Sequence, residues 1–140
     1  MKITKNRFLI SPSDLNNFVA CKYTALNEIK FHNKEIKKNE DKANDKLWKE
    51  MGIEHEKKYF KILKDKYKKS ISIKSDLDEK DKFNETVRAM QKGYDLIYHA
   101  FLIDENLRGE ADFLIKCNTP SELGDYSYEV YDTKITRNLK

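Results

Sequence analysis

Apolar residues recur every three or four positions in three stretches of the N-terminal part of the chain, which is the spacing of amphipathic helices. The first stretch opens on Ser11-Pro12-Ser13-Asp14-Leu15. Ser11 can cap a helix, Pro12 suits its first position, and Asp14 stands where the acid of a capping box belongs. The pattern therefore predicts a first helix from Pro12 to the low twenties.

Two further helices are predicted, a long one from about Asp41 to Lys69 and a shorter one from Glu79 to Lys92, which Gly93 is placed to end. In the long helix, one apolar stripe is expected to contain Leu47, Met51, His55, Tyr59 and Ile62 or Leu63. Lys and Glu cover the opposite side of this helix. His55 is therefore expected to face the protein interior.

After Gly93 the pattern changes to runs rich in β-branched and aromatic residues, which are typical of strands. Ile71 and Ile73 indicate a short strand before that point. Three further strands and the turn between the first two are predicted at Leu96–Ile103, Asp104–Asn106, Leu107–Lys116 and Tyr126–Ile135. The expected fold is α+β, with N-terminal helices followed by a mixed or antiparallel sheet of three or more strands.

Composition narrows the class of protein without deciding it. The 140 residues fit one domain, and 39% of them are hydrophobic, which is enough to build a core. The net charge of +4 is compatible with a nucleic-acid partner, although a Lys-rich solvated surface has the same composition. No apolar run approaches the ~20 residues of a membrane span, and no secretory signal opens the chain, so no membrane partner is expected. Cys21 and Cys117 have no CxxC spacing, which favours a reducing cytoplasm.

Two aspartates lie on neighbouring predicted strands, Asp112 on one and Asp132 on the next. Because strand side chains alternate, Asp132 and Lys134 are expected to share a face with Val130. Two carboxylates near a buried face repel each other, and a hard divalent cation such as Mg²⁺ or Mn²⁺ removes that penalty. Two simpler interpretations stay open: Asp112 as a turn or edge-strand acid, and Asp132 with Lys134 as a surface ion pair.

Four motifs occur in an order that carries a family resemblance. They are Ser11-Pro12-Ser13-Asp14-Leu15 followed by Cys21, Gly52-Ile53-Glu54-His55-Glu56, Gly109-Glu110-Ala111-Asp112 and Val130-Tyr131-Asp132-Thr133-Lys134. With them the chain resembles the RecB-like nucleases of the PD-(D/E)xK superfamily, and most closely a group of uncharacterised RecB-like nucleases. A lone DxK occurs by chance in many proteins, whereas the ordered set is considerably more specific.

The resemblance implies a fold and its extent. The fold is an α/β/α restriction-endonuclease-like core, with residues 1–140 forming one nuclease domain. Family members continue beyond the lysine motif into a helix and further strands, so the domain is expected to be truncated and its core incomplete at the C-terminus. A missing C-terminal region or a homodimer is the expected way to complete it.

The resemblance also implies an activity, the metal-dependent hydrolysis of phosphodiester bonds in DNA or, less readily, RNA. Asp112, Asp132 and Lys134 would be catalytic. His55, Asp112, Asp132 and the backbone carbonyl of Thr133 would hold Mg²⁺ or Mn²⁺. Lys134 would orient the attacking water or help to deprotonate it, and would offset phosphate charge. Whether this chain cleaves by itself is left open.

Residues beside these motifs receive plainer roles. Glu54 and Glu56, on either side of His55, are expected to face solvent. Some relatives bind an iron–sulfur cluster through one early and three late cysteines. Cys117 is the only cysteine besides Cys21, so no cluster is expected, and Cys21 is predicted to be buried as a small apolar residue.

Two other functions remain open from the sequence. One is a non-catalytic nucleic-acid-binding or scaffold fragment of a larger DNA-processing protein, which the basic composition favours. The other is a purely structural α+β domain, which would place His55, then a hydrogen-bonded core histidine, far from both aspartates. Repair, defence and recombination all use this scaffold, so the pathway does not follow from it.

Overall fold

The computed structural model describes residues 2–4, 7–37 and 43–135. Within these ranges the fold is α+β, as predicted. Its elements in chain order are β1 (Lys2–Thr4), β2 (Arg7–Leu9), α1 (Pro12–Ala20), α2 (Lys22–His32), α3 (Ala43–Lys66), β3 (Ser70–Ser72), α4 (Glu79–Gln91), β4 (Leu96–Asp104), β5 (Leu107–Cys117) and β6 (Ser127–Tyr131). Two compact units divide the chain: an N-terminal unit, Met1–Asp41 with Ile103–Gly109, and a sheet unit, Lys42–Leu102 with Glu110–Lys140.

The N-terminal unit begins with a hairpin that the sequence did not predict, in which β1 and β2 pair antiparallel. The predicted capping box of α1 is confirmed: the backbone N–H of Ser11 donates to Asp14 Oδ2 at 2.8 Å, and the N–H of Asp14 donates to Ser11 Oγ at 3.3 Å. The tip of the β4–β5 hairpin belongs to this unit, because the N–H of Ile10 donates to the carbonyl of Asn106 at 2.8 Å.

Cys21 separates α1 from α2 and corrects two expectations. Its backbone is extended, with φ −159° and ψ 113°, so the helix stops there and a second one, not predicted, runs on to His32. The Cys21 thiol is exposed rather than buried, because the residue stands at the junction of two helices instead of on a packed face. The backbone N–H groups of Tyr23 and Thr24 lower the pKa of this thiol.

In the sheet unit the strand order is β3-β4-β5-β6. β3 is parallel to β4, and β5 is antiparallel to β6, so the sheet is mixed, which is one of the two arrangements predicted. The prediction that the last strand reaches Ile135 is wrong, since β6 ends at Tyr131. Just beyond that end, the N–H of Thr133 donates to the Asp112 carboxylate instead of continuing the ladder.

Two hydrophobic clusters hold this sheet, one on each face. The first contains Leu63, Leu96, Tyr98, Phe113 and Ile115, with Phe60 and Tyr67 packed against it. The second contains Ile73, Ala89, Ile97, Ala100 and Leu114, with Met90 packed against it. Helix α3 supplies residues to the first cluster and α4 to the second, so each face of the sheet is covered by one helix. This three-layer packing positions the site described below.

The predicted stripe of α3 is confirmed at Leu63 and wrong elsewhere. Its other members are exposed, namely Leu47, Met51, His55, Tyr59 and Ile62. Leu63 packs on the sheet together with Phe60, and Tyr67 follows just after the helix. Counting back four residues from Phe60 gives Glu56, which is partly buried. The expected orientations of His55 and Glu56 are therefore both wrong, and they are wrong together, because each helical residue turns by about 100°.

No helix among residues 2–4, 7–37 and 43–135 is long and apolar enough to cross a membrane. The exposed apolar residues are scattered through helices that also carry many charged residues, for example Leu47 and Met51 in α3. This finding agrees with the absence of long apolar runs in the sequence.

Thr86 provides a test of how α4 is attached to the sheet. It is fully buried, and its hydroxyl donates to the carbonyl of Lys82 at 2.8 Å while accepting the N–H of Phe101 at 2.9 Å. Replacing Thr86 by Val keeps the shape but leaves the Phe101 N–H unpaired, so the free energy of unfolding is expected to fall by about 1–3 kcal/mol. Urea denaturation measures the change. Thr86→Ser keeps both hydrogen bonds and is the matched control, with an expected loss of about 1 kcal/mol for one methyl group. Equal stability of Thr86→Val and the wild type would contradict this account.

Candidate active site

The register of β5 and β6 brings Asp112 and Asp132 face to face. Phe113 pairs with Tyr131 at the end of the antiparallel ladder, and the next pair of positions is Asp112 with Asp132. Side chains directly opposite each other on such strands lie about 4.5–5.5 Å apart at Cβ. The two carboxyl groups share a hydrogen bond. The N–H and Oγ1–H of Thr133 also donate to Asp112 Oδ2, at 2.8 and 3.2 Å, and so fix the orientation of that carboxyl group.

The two acids of this pair differ in their affinity for a proton. Burial raises the pKa of Asp112, and the hydrogen bond and charge of Asp132 raise it further. For Asp132 partial burial acts in the same direction, but hydrogen bonds from Asp112 and Lys134 outweigh it and lower the pKa. Asp112 therefore holds a proton more tightly than Asp132 does, the usual outcome when like charges are forced together.

Lys134 lies beside the ionised member of the pair. Its Nζ is 2.6 Å from Asp132 Oδ2, and this hydrogen bond raises the pKa of Lys134, which is therefore an ammonium group. The lysine side chain is 75% exposed and that of Asp132 is 49% exposed. An ion pair with this much exposure contributes little to stability, so Lys134 can exchange Asp132 for another anion at small energetic cost.

Val130 corrects part of the argument that pointed to this site. It was expected to lie on a buried face together with Asp132 and Lys134, but it is 62% exposed. The unusual feature of Asp132 is therefore not burial beside an apolar residue. It is the position opposite another aspartate, which follows from the register of the two strands.

A second group of polar side chains, which sequence analysis missed, surrounds Glu56. The carboxylate of Glu56 lies 2.6 Å from Nε2 of His99, with both side chains largely buried. The other ring nitrogen of His99, Nδ1, is 3.6 Å from Glu110, which in turn is 3.4 Å from the ammonium of Lys82. Glu56 also accepts a hydrogen bond from the Tyr98 hydroxyl. Glu56 could have been identified from its position four residues before Phe60, because both then lie on the side of α3 that faces the sheet.

The Asp112–Asp132 pair and the side chains around Glu56 interact electrostatically. Burial raises the pKa of Tyr98, and the hydrogen bond and charge of Glu56 raise it further, with smaller contributions from Asp112 and Glu110. In the other direction, the charge of Glu56 contributes to the raised pKa of Asp112. The acidic pair and the Glu56 group therefore lie within one electrostatic neighbourhood of the sheet unit.

His99 has a left-handed backbone in the middle of a strand, with φ at +56°. This conformation is uncommon for a residue other than glycine and occurs often at functional sites. It also shifts the alternation of β4: Leu96 and Tyr98 face the first cluster, whereas Ala100 and Leu102 face the second. A bulge of this kind re-aims side chains, and here it sets the His99 ring against Glu56.

The predicted site residues come together only in part. Asp112, Asp132, Thr133 and Lys134 meet, as described above. His55 does not join them: it is exposed, and within the described ranges no contact links its ring to either aspartate. The same ranges contain no group of three or more His, Cys, Asp or Glu side chains that could hold a metal ion.

The acidic pair nevertheless fits a hard divalent cation in one respect. A cation between the two facing carboxyl groups would offset the interaction that raises the pKa of Asp112, and carboxylate oxygens are the ligands that Mg²⁺ and Mn²⁺ prefer. Mg²⁺ is commonly bound by one or two carboxylates together with water and substrate phosphates. Two protein carboxylates are therefore a sufficient set for such an ion when a phosphate completes it.

Comparison with known proteins adds no relative to this description. No protein-family model matches the chain, and no curated protein or solved structure matches it either. The resemblance to RecB-like nucleases consequently stands on the order of the motifs.

Proposed function

We propose that this chain is a metal-dependent nuclease that hydrolyses phosphodiester bonds in DNA, with Asp112, Asp132 and Lys134 as its catalytic residues. The observation that carries the proposal is the pair of carboxyl groups opposite each other at the end of β6, with a lysine ammonium 2.6 Å from one of them. An acidic pair next to a mobile cation suits a divalent ion and a phosphate together. DNA, rather than RNA, follows from the motif resemblance.

Each residue has a role that its surroundings support. Asp112 and Asp132 would hold Mg²⁺ or Mn²⁺, and the N–H of Thr133 keeps the Asp112 carboxyl group turned toward its partner. When bound, such an ion polarises the scissile phosphate and lowers the pKa of a bound water. Because Lys134 is protonated, it is better suited to stabilise the charge that develops on the phosphate than to take a proton from water. This narrows the two roles that the resemblance allowed for Lys134.

The chemistry of the cysteines is consistent with a cytoplasmic protein. Cys21 is exposed and Cys117 is partly buried, and neither forms a disulfide. Free thiols persist in reducing compartments. A nuclease acting on DNA inside the cell would meet those conditions, and we include a cytoplasmic location in the proposal.

A non-catalytic nucleic-acid-binding module is the second candidate. It is favoured by the exposed position of His55 and by the absence, within the described ranges, of three side chains that could hold a metal. In that case the Asp112–Asp132 pair would be a proton-sharing structural contact. The two candidates differ in whether hydrolysis depends on the pair.

The test is a cleavage assay on end-labelled single- and double-stranded DNA with Mg²⁺ or Mn²⁺. The wild type is expected to cleave only with a divalent ion, and a chelator should stop the reaction. Asp132→Asn is expected to lower the rate by about 10²–10³-fold, because it removes an anionic ligand and the partner of Lys134. Glu129→Gln is the matched control, since it removes a carboxylate from an exposed position on β6, three residues before Asp132.

Three results separate the possibilities. Equal cleavage by the wild type and Asp132→Asn would refute catalysis at this pair. Binding of DNA without metal-dependent cleavage would favour the non-catalytic module. Faster cleavage of RNA than of DNA would keep the site and change its substrate.

A further inference from the structure

A cleft in the sheet unit borders His99. It opens directly after β3 and has a volume of about 330 Å³. It is lined by Lys57, Ser72, Ile73, Lys74, Ser75, Asp76, Tyr98 and His99. We call it the Ser72 cleft. Its size is at the lower end of the range of small-ligand sites.

The position of the Ser72 cleft in the sheet is one where ligands commonly bind. β3 and β4 are parallel, with Ser72 paired to Tyr98, and the N–H of Ile73 donates to the Tyr98 carbonyl at 3.0 Å. The cleft therefore lies at the carboxyl end of β3, beside the first half of β4. In open sheets with parallel strands, ligands commonly bind in crevices outside the carboxyl ends of the strands. The left-handed backbone of His99, at the same edge, is a second sign of a functional surface.

The charges around the Ser72 cleft favour an anion. Lys57 and Lys74 are exposed, and neither has an ion pair with any residue that the structure describes. Asp76 is the one acid among the lining residues. The hydroxyl groups of Ser72 and Ser75 add two neutral donors. Lysines and hydroxyl groups together are the usual contacts to phosphate in nucleic-acid complexes.

The Ser72 cleft and the strand that carries Asp112 are connected through His99. His99 lines the cleft, and its Nε2 contacts Glu56 at 2.6 Å. Its other ring nitrogen, Nδ1, is 3.6 Å from Glu110, which lies two residues before Asp112 on β5. One side chain therefore borders both the cleft and the strand of the acidic pair.

We propose that the Ser72 cleft binds a backbone phosphate of the nucleic-acid strand beside the scissile bond, with Lys57 and Lys74 as its cationic contacts. The proposal rests on the nuclease function and adds to it a subsite for the substrate. The proposed ligand is an internal phosphodiester of that strand. The acidic pair would then carry out hydrolysis, and the cleft would bind the strand beside the cleaved bond.

The experiment measures binding without chemistry. Fluorescence anisotropy with labelled single- and double-stranded oligonucleotides, in EDTA and over a range of salt concentrations, is compared for three proteins. These are the wild type, Lys57→Ala with Lys74→Ala, and Lys61→Ala with Lys64→Ala. The last variant removes the same charge from exposed lysines of α3 that do not line the cleft.

The cleft variant is expected to raise Kd by on the order of tenfold for the preferred strand, because both lysine contacts to the phosphate are lost. Its salt dependence should also weaken, by about 0.7 in the logarithmic slope for a single strand, because one phosphate is no longer neutralised. Equal effects of the cleft and control variants, or no measurable DNA binding by the wild type, would overturn the proposal. So would a tenfold preference for strands with a terminal phosphate. These results are independent of the rate lost in Asp132→Asn, so failure of the cleft is distinguishable from failure of the nuclease function.

Discussion

Replacing Asp112 by Asn is expected to make the protein more stable and, at the same time, to abolish cleavage. The Asn side chain has the same shape as the carboxyl group of Asp112. Its NH₂ group can donate to Asp132, and its oxygen can still accept the N–H of Thr133. The variant keeps these hydrogen bonds and removes the repulsion between two facing carboxylates. It also removes an anionic ligand, so cleavage should fall on the order of 10³-fold.

The gain in stability has a defined dependence on pH. The pKa of Asp112 is raised in the folded protein above the ordinary value of 3.8, so the folded state holds the proton more tightly than the unfolded state does. The wild type therefore loses stability as pH rises from the ordinary value through the raised pKa. Asp112→Asn lacks that loss. The difference between the two proteins should be largest at neutral pH and should approach zero near pH 4, the lower end of this window.

Thermal unfolding and urea denaturation from pH 4 to pH 8 measure this difference. Allowing for solvent screening, the gain at neutral pH is expected to be at most about 1 kcal/mol. Glu110→Gln is the control, because it neutralises an acid on the same strand that is not opposite another carboxylate. A variant that is less stable than the wild type at neutral pH would show that the two carboxyl groups do not repel each other. Such an outcome would remove the main reason to place a cation between them.

The placement of both aspartates on neighbouring strands could be predicted from the sequence, because side chains along a strand alternate between its two faces. β4 and β5 lie where β-branched and aromatic residues accumulate, and the turn between them was placed correctly. What the sequence could not supply was the register. The pairing of Phe113 with Tyr131 sets Asp112 opposite Asp132, and it arises from contacts between residues far apart in the chain.

The orientation of α3 was not predictable by the same means. The helix has apolar residues on two adjacent stripes, one containing Met51 and Tyr59 and the other containing Phe60 and Leu63. Periodicity identifies a helix in both cases, but it does not decide which stripe is buried. Packing on the sheet selects the second stripe, and this choice turns Glu56 inward and leaves His55 in solvent.

The bulge at His99 lies further beyond the reach of sequence patterns. The segment around it is an uninterrupted run of strand-forming residues, with no glycine to mark a left-handed backbone. The left-handed backbone of His99 must be stabilised by contacts with other elements. These are the stacking of Tyr98 on Phe60 at 4.2 Å and the contact of His99 with Glu56. Positions where local preference is overridden in this way are often functional, which is why the Ser72 cleft beside His99 merits the test above.

Phe113→Ala is expected to cause the largest loss of stability of the variants considered. Phe113 is fully buried, and its ring packs against Tyr98 at 5.3 Å, Tyr59 at 5.7 Å and Phe60 at 6.4 Å. Removing the ring leaves a cavity between α3 and the sheet, and the free energy of unfolding should fall by about 3–5 kcal/mol. Val130→Ala, on the neighbouring strand but 62% exposed, is the control and should change stability by less than about 1 kcal/mol.

The same variant separates support of the site from chemistry at the site. Phe113 is not one of the proposed catalytic residues. It follows Asp112 on β5, however, and it pairs with Tyr131, the residue before Asp132. If its role is to hold the two strands in register, cleavage by Phe113→Ala should follow the folded fraction and recover at low temperature, where urea denaturation shows the protein folded. Asp112→Asn should remain inactive under those conditions, because it is folded at those temperatures and lacks the anionic ligand. A Phe113→Ala protein as stable as the wild type would mean that the cluster between α3 and the sheet does not hold the acidic pair in place.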